Sequence, residues 1–129
     1  MLLYKDILLV DDDADDAEIF MEAVSCVEKE IIFRSEDNPI KALQDLEVSL
    51  KLPDLIFLDY NMPLLNGKEF LSRIKSKNKL KNIPVILIST PSEEFVKDLL
   101  QKKEIIHYMS KPNNYNELIG MLNFVLKFQ

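Results

Sequence analysis

Short, uninterrupted apolar runs alternate in this chain with longer segments whose apolar residues return every three or four positions. Four runs, residues 7–10, 55–58, 85–88 and the weaker 105–109, have the length and uniformity of strands buried on both faces of a parallel sheet. A fifth, residues 31–33, is shorter and flanked by charge, as an edge strand would be.

Helical spacing fills the gaps. Phe20, Ala23, Val24 and Val27 share one helix face, as do Ile40, Leu43 and Leu46, and then Phe70, Leu71 and Ile74. Ser92 opens a fourth helix carrying Glu94, Phe95, Val96, Leu99 and Leu100. Asn114 opens a fifth, carrying Leu118, Met121, Leu122 and Val125, in which the chain is expected to end. The polar stretch 76–82 before Pro84 reads as a helix end and loop. Five strand-then-helix units with short connections need right-handed crossovers, and so a parallel sheet covered on both faces. The expected architecture is a doubly wound α/β domain.

Composition supports one folded unit. The 129 residues are 47% hydrophobic and 29% charged, an ordinary globular balance, with no repeat, low-complexity tract or Gly/Ser linker. A single domain over residues 1–129 without an output domain is expected. The net charge of −6 removes any general attraction to nucleic acid or anionic lipid and leaves proteins as the expected partners. The lone Cys26 cannot form an internal disulfide; its neighbours Ala23, Val24 and Val27 suggest a buried position in a reducing compartment. The first six residues lack the features of a signal peptide, and no stretch is long and apolar enough to span a membrane, so a cytoplasmic location is expected.

Ligands of open α/β sheets bind beyond the carboxyl ends of the strands. There the chain offers Asp11, Asp12 and Asp13, then Asp59, then Ser89 and Thr90, then Ser110, Lys111 and Pro112. Crowded carboxylates cannot all stay ionised in a partly buried cleft without a cation, and oxygen ligands favour magnesium. Asp13, Asp15 and Asp16 are explained by the N-terminus of the first helix, whereas Asp11 and Asp12 face a second strand-end acid and read as metal ligands. Asp59, leaving a buried strand, suits a nucleophile. Lys111 could pair with it or with a phosphate oxygen, and Ser89 and Thr90 could donate to an anion or cap a helix. His107, the only histidine, reads as a strand residue without a role, and two glycines are too few for a Gly-rich phosphate loop.

Asp11 and Asp12, Asp59, Ser89 and Lys111, in this order and strand context, resemble the active-site set of two-component response-regulator receiver domains, of the single-domain, chemotaxis-regulator-like kind. The strings around them resemble the family too: Ile7-Leu8-Leu9-Val10-Asp11-Asp12, Leu58-Asp59-Tyr60-Asn61-Met62-Pro63 with Gly67 beyond, and Ser110-Lys111-Pro112. The resemblance covers nearly the whole chain. It implies a flavodoxin-like fold, five parallel strands in the order 2-1-3-4-5 with five helices. It implies Asp59 as phosphoacceptor, Asp12, Asp59 and the backbone carbonyl of Asn61 as Mg2+ ligands, and Asp11 as holder of metal waters. Ser89 and the Thr90 N–H would bind phosphoryl oxygens, Lys111 would bridge phosphate and Asp59, and Tyr108 would be the aromatic switch. A sensor histidine kinase would donate, and a downstream protein target or phosphotransfer protein would receive the signal, from a monomer or a homodimer. The chain departs from the family in lacking a glycine between Lys102 and Met109, and it carries Pro91 at a position where members vary.

Two other functions compete. Magnesium-dependent phosphohydrolases that form an aspartyl phosphate resemble this layout but usually need a second acid two residues beyond the nucleophile, where this chain has Asn61. A constitutive docking module would have no need of the intact acid, hydroxyl and lysine set. The expected protein is a phosphoacceptor switch, not an enzyme turning over an external substrate.

Overall fold

The computed structural model describes residues 4–60, 62, 65–88, 93–109 and 114–127. Strands and helices alternate: β1 (Asp6–Val10), α1 (Ala14–Val27), β2 (Ile32–Glu36), α2 (Pro39–Val48), β3 (Leu55–Asp59), α3 (Gly67–Lys75), β4 (Val85–Ile88), α4 (Glu93–Gln101), β5 (His107–Met109) and α5 (Tyr115–Lys127). The strands form one sheet in the order β2-β1-β3-β4-β5, with every neighbouring pair parallel. This is the flavodoxin-like topology.

The alternation of side chains along the strands divides the core in two. Leu8, Val10, Ile56, Leu58, Val85 and Leu87 face the side covered by α2, α3 and α4, where Leu43, Leu46, Phe70, Ile74, Val96 and Leu99 are buried. Ile7, Leu9, Leu55, Phe57, Ile86 and Ile88 face the other side, against Phe20, Val24 and Val27 of α1 and Leu118, Leu122 and Val125 of α5. Both faces being covered explains why β1, β3 and β4 read as unbroken apolar runs.

Side chains cap the helices. Asp13 accepts from the N–H groups of Asp15 and Asp16, so the acids outside the expected metal pair do serve the start of α1. Asn38 and Asn66 cap α2 and α3, and Asn114 accepts from Glu117 N–H at the start of α5. Ser92, the expected cap of α4, lies outside the described residues.

Several expectations need correction. Cys26 is exposed, because the buried stripe of α1 runs through Phe20, Ala23, Val24 and Val27 and position 26 falls off it. Leu100 is likewise 41% exposed beside buried Val96 and Leu99. β2 extends to Glu36 through polar residues, paired along its length with β1. β5 begins only at His107, while Ile105 is buried beneath the end of α4.

The missing glycine before β5 has a structural counterpart. Glu104 N–H donates to Leu99 C=O and Lys103 N–H to Leu100 C=O, a Schellman ending of α4 that requires a left-handed residue. Lys103 supplies it, with φ of 61°. At the end of α2, Lys79 Nζ donates to the carbonyls of Glu47 at 2.9 Å and Ser49 at 2.6 Å, binding the α3–β4 turn to a helix C-terminus that attracts cations. Among the described residues no helix is long and apolar enough to cross a membrane.

Candidate functional site

β1 lies between β2 and β3, so the winding reverses between β1 and β3 and opens a crevice at their carboxyl ends. Val10 is paired with Leu58, which brings the next residues, Asp11 and Asp59, level across adjacent strands. Asp59, the last residue of β3, is 2% exposed and Asp11 is 5% exposed, while Asp12 reaches the surface. Carboxylate oxygens of Asp11, Asp12 and Asp59 all lie within 4.8 Å of one another.

Backbone contacts hold these acids in place. Asp11 N–H donates to Glu36 C=O at 3.2 Å, and Asp11 Oδ1 accepts from Asp13 N–H at 2.9 Å. Beyond Asp59, Tyr60 N–H donates to Ile88 C=O at 3.1 Å and Tyr60 C=O accepts from Gly67 N–H at 3.0 Å, pinning the start of the β3–α3 loop at both ends. Gly67 is needed there, because a β-carbon would stand 2.9 Å from Tyr60 Cα.

Ionised carboxylates this close repel by about 3 kcal/mol per pair at an effective dielectric near 20. A small divalent cation with a preference for oxygen relieves that repulsion, and the donor set, all carboxylate, suits Mg2+ or Mn2+ rather than a softer metal. A cavity of about 380 Å³ opens beside the cluster, lined by Asp11, Ala17, Glu18, Met21 and Ser35 among others.

The sequence-predicted residues divide accordingly. Asp11, Asp12 and Asp59 come together. Tyr108 is half-buried in β5, beside Leu87 of β4, and packs with Tyr60 against the core on the α2–α4 side. Asn61, Ser89, Thr90, Lys111, Pro91, Ser110 and Pro112 lie outside the described residues. His107 is a strand residue whose ring lies 5.7 Å from that of Phe124. Sequence reasoning gave no part to the Glu36 carbonyl, since a backbone acceptor contributed through strand register leaves no mark on residue type.

A flavodoxin-like sheet with an acidic cleft at its topological switch defines a class of α/β ligand-binding domain. Within it the chain belongs to the response regulator receiver domain family, whose pattern matches residues 7–123, and hence to two-component signalling. It is 30% identical to the response regulator Rcp1 of Synechocystis, covering 96% of this chain and 88% of that protein. It is 28% identical to the chemotaxis protein CheY1 of Helicobacter pylori, covering 93% and 95%, respectively. Against the CpxR homolog of Haemophilus influenzae it is 31% identical but spans only 50% of that longer protein. The solved manganese-bound form of Rcp1 superposes with a TM-score of 0.82 at 26% identity, over 97% of this chain and 96% of that one.

Proposed function

We propose that the chain is a stand-alone receiver that accepts a phosphoryl group on Asp59 from a phosphohistidine of a sensor histidine kinase, in the cytoplasm, and signals by a change of its protein-binding surface or by phosphorelay. The observation that carries this reading is the placement of Asp59: nearly inaccessible, at the end of a buried strand, and within 4.8 Å of two further carboxylates. The receiver reading is supported by relatives such as Rcp1 and CheY1, which the chain matches over nearly their full lengths.

Phosphoryl transfer asks for positioning and charge neutralisation more than for covalent chemistry by the protein. The carboxylate oxygen of Asp59 attacks phosphorus, an O–P bond forms, and the P–N bond of the donor breaks with its electron pair leaving on the imidazole nitrogen. β3 and the Tyr60 backbone contacts fix the direction in which Asp59 presents its oxygen. Asp12, Asp59 and the Asn61 carbonyl would hold Mg2+, with Asp11 holding its waters, and the bound ion supplies neutralisation of the carboxylates and of the transferring oxygens. Ser89, the Thr90 N–H and Lys111 would take the remaining phosphoryl oxygens. Tyr108, half-buried on β5, would change its packing as Ser89 is drawn in.

The test is incubation with a small acyl phosphate and magnesium, followed by intact-mass measurement. The wild type is expected to gain one phosphoryl group and Asp59→Asn none; no gain on the wild type overturns the reading. The switch is tested with Tyr108→Ala, which should leave phosphorylation largely intact while weakening partner response; equal loss of both would show Tyr108 to be a core residue only.

A further inference from the structure

The proposed acceptor chemistry leaves one charged region unused. Residues 73–81 carry Arg73, Lys75, Lys77, Lys79 and Lys81, five of the chain's 16 basic residues and none of its 22 acidic ones. This segment ends α3 and forms the turn leading into β4, at the edge of the sheet opposite the one where β3 ends in Asp59. Beside it lies a groove of about 300 Å³ between α2 and α3, lined by Ile40, Leu43, Gln44, Arg73, Ser76 and Lys77, with Glu47 also on its wall. The Lys77–Glu47 ion pair, at 3.5 Å between half-exposed side chains, crosses from one wall to the other. Beside the groove, α2 and the turn after it expose apolar side chains: Ile40 is 39% exposed, Val48 78%, and Leu50 fully so. Ile40, Gln44 and Val48 recur at four-residue spacing and so form one stripe along α2.

We infer that this α2–α3 groove is a second interaction surface, which takes a short acidic segment of a partner protein anchored by an apolar side chain. The volume is at the low end of the roughly 300–1,000 Å³ of ligand pockets, room for an anchoring side chain but small for a cofactor. Its lining is aliphatic through Ile40 and Leu43, and Arg73 and Lys77 match carboxylates flanking such an anchor, Lys77 by exchanging its exposed partner Glu47 for one of them. Nucleic acid fits less well, because residues 40–50 and 73–83 hold no aromatic side chain on which a base could stack. A lipid surface fits less well because the site is concave. Since the groove shares no residue with the Asp11, Asp12 and Asp59 cluster, it can be occupied while Asp59 is being phosphorylated.

The experiment is an NMR titration of the full chain, amide by amide, with a synthetic peptide of alternating glutamate and leucine. Saturable shifts are expected at Ile40, Gln44, Ser76 and Lys77. Arg73→Glu and Ile40→Asp, both at exposed positions, should each weaken binding on the order of tenfold, while Lys29→Glu, beyond α1, leaves it unchanged. A peptide with serine for leucine should bind far more weakly. Absence of shifts at the groove, insensitivity to Arg73→Glu and Ile40→Asp, or a stronger groove response to phosphatidylglycerol vesicles or to oligothymidine would each overturn the inference. Phosphorylation of Asp59 in the same variants is measured separately and is expected to be normal.

Discussion

A β-carbon placed on Gly67 would stand 2.9 Å from the Cα of Tyr60 and equally close to Cδ2 of its ring. The first contact is with backbone, so no rotation of the tyrosine relieves it. α3 therefore begins packed directly on the residue that follows Asp59.

Gly67→Ala is accordingly expected to cost about 1–3 kcal/mol, the range for forcing an extra methyl into a packed contact. Because the displaced residue adjoins Asp59, the rate of phosphorylation should fall as well. Urea unfolding and a time course of acyl-phosphate labelling measure the two effects; unchanged values in both would show that the loop yields freely.

Lys103→Gly should raise stability. A left-handed conformation costs a side-chain-bearing residue about 1–2 kcal/mol, and glycine returns part of that gain through its larger unfolded-state freedom, leaving about 0.5–1 kcal/mol. Lys103 is exposed, so little packing is lost. A higher urea midpoint with an unaltered slope is the expected signature.

Asp6, 4% exposed at the start of β1, holds Arg34 Nε at 3.0 Å. Arg34→Ala should cost about 1–2 kcal/mol, less than breaking a fully buried pair because the arginine side chain is 39% exposed. A double-mutant cycle with Asp6→Asn measures the coupling, and additive single effects would show that the pair contributes only through packing.

Glu36 gives the molecule an acid-sensitive joint beside the site. Burial pushes its carboxyl upward, but Asn38 N–H, a hydrogen bond with Asp37 and the Lys41 ammonium together outweigh burial and hold it below the ordinary glutamate value of 4.5. A carboxyl lowered by folding contributes stability that is present above its unfolded value and lost as pH falls through the folded one. Glu36→Gln should therefore flatten the stability profile as pH falls below the ordinary glutamate value of 4.5, as measured by urea unfolding of both proteins over a series of pH values.

Much of this was legible from residue order. β4 coincides with its apolar run, and β1 and β3 each exceed theirs by one aspartate. β2 was legible only in part, since Arg34, Ser35 and Glu36 are strand residues by virtue of their pairing with Leu8, Leu9 and Val10. Cys26 is exposed among apolar neighbours because burial on α1 follows the helical period and not local composition. Asp11, Asp12 and Asp59 could be singled out because strand ends converge on one edge of the sheet, while the supporting backbone contacts of Glu36, Tyr60 and Gly67 depend on register and loop path.

Between the last residue of β1 and the first of α1 stand only Asp11, Asp12 and Asp13. The first and second join the acidic cluster, and the third caps the helix while its own N–H binds Asp11. The connection has no slack: lengthening or shortening it by a single residue would either take a carboxylate out of the cluster or leave the helix uncapped. Among the junctions described, this is the one where an insertion or deletion is least tolerable, and a library of single-residue length variants along the chain should find its deepest gap there.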